Sequence, residues 1–240
     1  MMSLSKEWAL LSRAMYGQNF IEELSNFLKR QKVRTILECG CGDGNILQGL
    51  VNNGFNGLGI DGDSEMIQMA NQEHSHPNIN YQVLNWLDLG RLSEQYDCVM
   101  CRGNSLSYVL NWGKDKREPA EIVTKSVAKS IGLMFDRLRI NGLLYVDTVR
   151  QKDIDAGNRK IELKYPNILL KGKIEYDLAR RIRRTYGEGV VLGKEFKGGG
   201  ESVFITPNEL EGMILGLKPA RVWHPNLKSE VNYHIVCAKK

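Results

Sequence analysis

"TILECGCGDGNILQGL", residues 35–50, runs from an apolar β-rich segment through three alternating glycines into a helix-like segment. Glycines such as Gly40, Gly42 and Gly44 let a backbone approach a ligand closely, and the free N–H groups of a following helix add hydrogen-bond donors. A dinucleotide loop needs GxGxxG, its last glycine permitting tight helix packing; here Asn45, Ile46 and Leu47 follow Gly44, so the match fails at the third glycine. A Walker loop fails too, because no GK[ST] follows.

On either side of this loop the chain alternates. Phe20, Leu24, Phe27 and Leu28 fall at helical spacing within residues 18–31, and "VRTILECG" reads as a short strand. "NILQGLVNNG" reads as a helix with Gly54 near its C-terminal cap, "FNGLGIDGD" as a second strand, "SEMIQMANQEH" as a helix opened by Ser64, and "INYQVLNWLDL" as a third strand running into a loop. "YDCVMCRGNSLSYV" is strand then loop. Pro119 suits a first helical turn before a stripe of Ile122, Val127, Ile131, Met134, Phe135 and Leu138 that stops at Asn141-Gly142, and "GLLYVDTV" is a fifth strand. Such alternation predicts a mostly parallel seven-stranded sheet with helices on both faces.

Beyond residue 151 the rhythm changes. Residues 173–205 alternate apolar and charged side chains between glycine breaks, which predicts an antiparallel meander. "TPNELEGMILGL" restores a helix with Thr206 as cap and Pro207 in first position, and "ARVWH" and "VNYHIVCAKK" make two late strands. The expected organisation is one α/β Rossmann-like domain over 1–240, with an N-terminal helical segment over 1–30 and a β-rich insertion over 155–205 covering a substrate pocket.

Asp61 ends the second strand, where a carboxylate can accept hydrogen bonds from both ribose hydroxyls of an adenosine. NAD and S-adenosylmethionine both offer that ribose. The glycine spacing separates them, because an ExGxGxG loop without a pyrophosphate cradle suits a nucleoside with a short amino-acid tail. A tight turn beside a solvent-facing aspartate is the structural alternative.

The motifs "ILECGCGDGN", "GIDGDSEMI", "NWLDL", "YDCVMCRGNSLSYV" and "INGLLYVDTV", spread over roughly residues 30–154, resemble in order and spacing those of the class I S-adenosylmethionine-dependent methyltransferases. Within that family the sequence is similar to the glycine and sarcosine N-methyltransferases. The resemblance implies that Glu38, Gly40, Gly42 and Gly44 shape the floor under the methionine part, and that Asp61, with Gly62 beside it, holds the ribose. Met66 would pack on the adenine, and Asn85, Trp86 and Leu87 would line its edge and the mouth of the substrate pocket. Arg102, Gly103 and Asn104, on the loop after the fourth strand, would lie beside the reacting methyl. Met66 and Trp86 have an alternative as plain core residues.

Methyl transfer from a sulfonium asks for a neutral nucleophile held in line in a site that excludes water. Candidates to orient it are Asn104, Tyr108, Tyr16, Tyr165 and Tyr176. In the resembling enzymes a substrate-binding arginine follows the fifth strand in a stretch reading like DHRNYD; here "DTVRQKD" puts Val149 in its place and Arg150 one residue on, which on a strand is the other face. The expected reaction is methylation of the nitrogen of a small amine or amino acid, with S-adenosylhomocysteine as product. Oxygen methylation needs similar geometry and stays open, as does a cofactor-binding sensor without turnover. Nucleic-acid methylation is disfavoured, because "RGNSL" stands where [ND]PP[YFW] or a Pro-Cys nucleophile would be.

Bulk properties are those of an ordinary globular protein, with a mild charge compatible with an anionic ligand. The 240 residues are 42% hydrophobic and 25% charged, with a formal charge of +5 too small and dispersed to imply nucleic acid. The insertion is basic: as strand residues Arg181 and Arg183 would share one face and Arg180 and Arg184 the other, which reads as solvated strand faces, with an acidic substrate or RNA as alternatives. Cys98 and Cys101 form a lone CxxC with no zinc-ligand companion, so the five cysteines read as buried structural residues and no metal is expected. His224 reads as a surface-loop residue, with a proton acceptor as the alternative. No window approaches about 18 apolar residues and the N-terminus lacks a leader pattern, so a cytoplasmic protein is expected. A homo-oligomer is compatible with the sequence.

Overall fold

A computed structural model describes residues 4–110, 118–165, 167–230 and 232–240. Two helices, α1 (Leu4–Met15) and α2 (Gln18–Arg30), precede β1 (Thr35–Cys39), α3 (Asn45–Asn52), β2 (Asn56–Asp61), α4 (Ser64–Glu73), β3 (Ile79–Val83) and β4 (Tyr96–Cys101). Short 3-10 turns follow β3 and β4, at Trp86–Arg91 and Ser105–Tyr108. Next come α5 (Ala120–Asp136), β5 (Leu138–Val149) and a short α6 (Gln151–Asp155). Four strands, β6 (Arg159–Tyr165), β7 (Ile168–Asp177), β8 (Ile182–Val191) and β9 (Lys194–Val203), lead to α7 (Pro207–Leu215), β10 (Arg221–Trp223) and β11 (Tyr233–Lys239).

The main sheet has seven strands in the order β10-β11-β5-β4-β1-β2-β3, and β6–β9 form a separate antiparallel sheet inserted after β5. Pairings among β1 to β5 are parallel, while β11 runs antiparallel to β5 and β10 to β11. Burial on both faces explains the continuous apolar runs of the central strands. Leu37, Val99 and Cys101 pack on one face with Val127, Ile131 and Met134 of α5 and Leu210 of α7. On the other, Ile36, Cys98 and Met100 pack with Leu24 and Phe27 of α2 and Leu47 and Leu50 of α3. Cys98 and Cys101 therefore point to opposite faces, as three-residue spacing on a strand requires, and all five cysteines are buried free thiols.

Local chemistry shifts several expected boundaries. Asp63, not Ser64, caps α4, its carboxylate accepting the Glu65 N–H at 2.9 Å. The helix before β5 ends at Asp136, and β5 begins at Leu138, bending through Asn141 at φ 63°. Val123 is buried in the stripe where Ile122 is 46% exposed. The antiparallel strands start at Arg159 rather than Lys173. Arg181 is not a strand residue: β8 starts at Ile182, Arg181 has φ 58°, and its guanidinium pairs with Glu209 at 2.7 Å. Thr206 and Glu209 form a capping box on α7 with Pro207 in its first turn. No helix among the described residues is long and apolar enough to cross a membrane.

Candidate active site

The chain lays out β1, β2 and β3 to one side and then returns to lay out β4 and β5 on the other, so the strand order reverses between β1 and β4. A ligand crevice belongs outside the carboxyl ends of strands at such a point. A cavity of about 370 Å³ lies there, within the range of small-molecule sites.

Its floor is the loop after β1. Gly40, Gly42 and Gly44 have φ of 72°, 57° and 82°, the left-handed region in which other residues are strained. A Cβ at Gly42 would meet nothing nearer than Met66 Sδ at 4.0 Å, so that glycine leaves open space above it, whereas a Cβ at Gly40 would stand 3.0 Å from Trp86 Cζ2. Asp61 closes the floor: its Oδ2 accepts the Gly42 N–H and its Oδ1 the Asp63 N–H, both at 2.9 Å. Burial pushes its carboxyl up to about 6, with the two N–H donors opposing. Each oxygen keeps a second lone pair for a ligand hydroxyl. Gly62, Met66, Asn85 and Trp86 line this half of the cavity. Asn85 staples two loops, accepting the Leu87 N–H at 2.9 Å and donating to the Val109 carbonyl at 3.2 Å.

Across the switch point the walls change character. Arg102 is buried and sends Nε and Nη2 to Glu38 Oε1 at 3.1 and 2.8 Å, with the Tyr16 and Phe20 rings 5.3 Å from its guanidinium carbon. Burial, the largest single influence, would lower the Arg102 pKa, but the Glu38 carboxylate together with Tyr16 and Tyr145 more than offsets it and the pKa is raised. Asn104 holds φ 59°, and Asp147 at the end of β5 accepts the Gly103 and Asn104 N–H groups at 2.9 and 2.7 Å. Burial and the charge of Glu230 push Asp147 up to about 7. Asn104 Oδ1 accepts the Ser107 hydroxyl at 2.8 Å, leaving its buried Nδ2 without a partner, as are Glu38 Oε2, Trp86 Nε1 and Arg102 Nη1. Tyr16, Tyr108, Tyr233 and Arg183 complete this end.

The fold thus brings together, as cavity lining, Tyr16, Gly40, Gly42, Asp61, Gly62 and Met66 with Asn85, Trp86, Arg102, Asn104 and Tyr108. Glu38 stands behind Arg102, and Gly44 caps α3 with its Cα against the Tyr81 hydroxyl. Leu87 packs on the core. Arg150 does not reach the cavity: it precedes α6 and pairs with Asp153 at 2.8 Å. Tyr176 is buried with Val149, Ile154 and Phe204, and the Tyr165 side chain lies outside the described residues. His224 is 3.6 Å from Glu211, away from the cavity.

Several lining residues carried no sequence signal. Trp8 and Ser12 arrive on α1, which is tied down by Arg13; that side chain bridges Asp43 of the glycine loop and Glu73 of α4. Tyr233 arrives on the antiparallel β11 and Arg183 on the inserted sheet, elements whose approach depends on tertiary structure. The amphipathic pattern of α1 was the one available hint.

Comparison with known proteins agrees with this geometry. Residues 36–122, which hold the glycine loop, Asp61 and Asn104, match the family described as "Methyltransferase domain". The glycine/sarcosine N-methyltransferase of Halorhodospira halochloris is 29% identical over 132 residues, 53% of this chain and 47% of that protein. The chain spans about half the length of the curated relatives it matches. Among solved structures, DesVI of Streptomyces venezuelae superposes with TM-score 0.73 at 13% identity, covering 99% of this chain and 98% of that one. CalS10 of Micromonospora echinaspora, an amino pentose methyltransferase solved with S-adenosylmethionine bound, gives 0.72 at 13% identity, with 100% and 97% covered. The residues fit that cofactor: Asp61 keeps acceptor capacity for ribose hydroxyls, Gly42 leaves room over the loop, and buried orphan donors await a polar tail. The chain has the fold of the class I methyltransferases, and its residues 36–122, which carry the floor of the cavity, match the methyltransferase domain family.

Proposed function

We propose that the chain methylates the nitrogen of a small amine or amino acid. The supporting observation is one cavity lined by Asp61 and the open Gly42 and also by Asn104, whose buried Nδ2 has no partner, with Tyr16 and Tyr108. Gly40, Gly42, Asp61, Met66 and Trp86 would hold S-adenosylmethionine, which when bound supplies an electrophilic methyl on a sulfonium leaving group. Tyr16 and Tyr108 offer hydroxyl oxygens that accept N–H bonds, so an amine presented there keeps its lone pair free to face the methyl. Burial raises the Tyr16 pKa well above its ordinary value, which keeps it a neutral phenol. The glycine/sarcosine N-methyltransferase likeness supports nitrogen as the acceptor atom.

The inserted sheet acts as the roof over the acceptor end. A Cβ at Gly200 of β9 would stand 3.3 Å from both Trp8 Cζ2 and the Tyr108 hydroxyl, so β9 lies close against both walls, and a roof of this kind excludes water.

Calorimetry with S-adenosylhomocysteine on native protein and Asp61→Ala tests the reading. Binding that falls by at least roughly 100-fold in the variant is expected from losing two charge-assisted hydrogen bonds at about 1.5–3 kcal/mol each. A folded native chain that binds none would overturn it. Screening amines and alcohols with labelled cofactor then separates nitrogen from oxygen acceptors.

A further inference from the structure

Among the described cavity-lining residues two are arginines, Arg102 and Arg183, and they differ in their partners. Arg102 is neutralised by Glu38 at 2.8 Å. The arginines around Arg183 are also committed: Arg181 to Glu209 at 2.7 Å, Arg184 to Glu201 at 2.6 Å, and Arg159 to Asp153 at 2.8 Å. Arg183 has no carboxylate partner among the described residues, and its Nε is buried without a hydrogen bond.

Strand geometry aims it. In β8 Arg183 stands directly opposite Tyr176 of β7, and such pairs share a face. Tyr176 is buried against Val149 and Phe204, so that face looks toward the body of the protein, while Arg184 turns the other way to Glu201. Arg183 hydrogen-bonds the Tyr176 hydroxyl and its charge also acts on that of Tyr233; both are neutral phenols because burial raises them. Neutral phenols do not compensate the charge of this half-buried guanidinium, and an anion does.

Position assigns the charge to the acceptor end. Tyr233 opens β11, and four strand-to-strand steps separate β11 from β2, which Asp61 ends; at ordinary strand spacing that is about 19 Å.

We propose that Arg183 is the anion receptor of the acceptor site, so that the methylated molecule carries a carboxylate or phosphate group as well as its nucleophile. This rests on the acceptor-site reading above. A guanidinium fork matches the planar oxygens of either group. Tyr233, which feels the Arg183 charge, and Tyr108 line the same cavity and would supply hydroxyl donors to the same oxygens.

The test uses the S-adenosylhomocysteine-loaded protein titrated with acetate and, separately, with inorganic phosphate, following the Arg Nε–H signals by NMR. At least one anion should saturate an arginine signal that is missing in Arg183→Gln, and this variant should bind it at least ten-fold more weakly. Its affinity for S-adenosylhomocysteine should stay within about two-fold of native. Arg183→Lys, which keeps the charge without the fork, should give an intermediate value and covers the case in which the glutamine variant fails to fold. A preference for acetate assigns a carboxylate, and one for phosphate a phosphorylated substrate. Saturation by neither anion, equal binding in Arg183→Gln, or a parallel loss of S-adenosylhomocysteine affinity would each overturn the proposal. A native chain that fails to bind S-adenosylhomocysteine removes the methyltransferase reading instead, so the two failures are distinguishable.

Discussion

The Asp147 carboxylate accepts the backbone N–H of Asn104 at 2.7 Å and that of Gly103 at 2.9 Å, so the end of β5 holds the loop that follows β4. Asn104 is in the left-handed region, and these two bonds fix the peptide that puts its amide at the cavity. Asp147→Asn is isosteric but replaces one acceptor oxygen with a donor, leaving one buried N–H unmatched at a cost of about 1–3 kcal/mol. Amide exchange of Gly103 and Asn104 should accelerate about ten-fold or more, and methyl transfer should fall more than S-adenosylhomocysteine affinity. Unchanged exchange at both amides would show that the loop is held by other means.

Asp61 and Asp147 are pushed up to about 6 and about 7, above the value near 3.9 of an unfolded aspartate. Between those values the folded chain binds these protons more tightly than the unfolded chain. Their contribution to stability is therefore fully present below about pH 4 and is lost as pH rises toward 6 and 7. In the proposed role the ionised Asp61 would hold the ligand hydroxyls, so S-adenosylhomocysteine affinity should move the opposite way, rising as pH climbs through about 6 and levelling above it. Calorimetry from about pH 5 to pH 8 checks this, and Asp61→Asn should flatten the profile. A native profile flat through pH 6 would mean that ligand contact does not depend on that charge.

Much of the floor of the site was legible because its signals are local. Glycine spacing and a carboxylate at a strand end persist whatever packs around them, and both sheet faces are buried, so β1, β2 and β4 read as continuous apolar runs. The roof was not legible for the opposite reason. Arg183 looked like one of four equivalent arginines until the β7–β8 turn took Arg180 and Arg181 out of the strand and cross-strand pairing sent Arg184 to Glu201. Tyr233 and Asp147 likewise owe their places to the pairing of β11 with β5, a contact between distant segments. Arg150 drew attention through its position after β5, yet α6 folds back and supplies Asp153 as its partner.

Two glycines of the loop should respond differently to alanine. At Gly44 a Cβ would sit 2.5 Å from the Tyr81 hydroxyl, and φ is 82°, so Gly44→Ala meets both a clash and backbone strain. Its stability should fall by about 2 kcal/mol or more. At Gly42 a Cβ finds Met66 Sδ no nearer than 4.0 Å, so the cost is backbone strain of about 1 kcal/mol. The added methyl nevertheless enters the space over Asp61. Gly42→Ala should lose most S-adenosylhomocysteine binding while melting close to native, and Gly44→Ala should melt early. Equal melting temperatures with equal binding losses would contradict the division.

The Glu38–Arg102 pair should respond unequally to loss of either partner. Both Arg102 contacts go to Glu38 Oε1, at 2.8 and 3.1 Å, and the pair is buried. Glu38→Gln strands a guanidinium that cannot give up its proton, a loss of about 3–5 kcal/mol that shifts little with pH. Arg102→Met strands a carboxyl whose pKa burial already raises, and that group can take a proton. With its folded value further above the unfolded one, the variant's stability is greatest at low pH and declines as pH rises. Denaturant unfolding at about pH 5 and pH 8 should therefore show a wide pH gap for Arg102→Met and a narrow one for Glu38→Gln. The double variant Glu38→Gln, Arg102→Met leaves no net charge buried, so it should recover part of the stability that Glu38→Gln loses. Parallel pH responses in the two single variants would mean that water reaches the pair and that burial does not govern its chemistry.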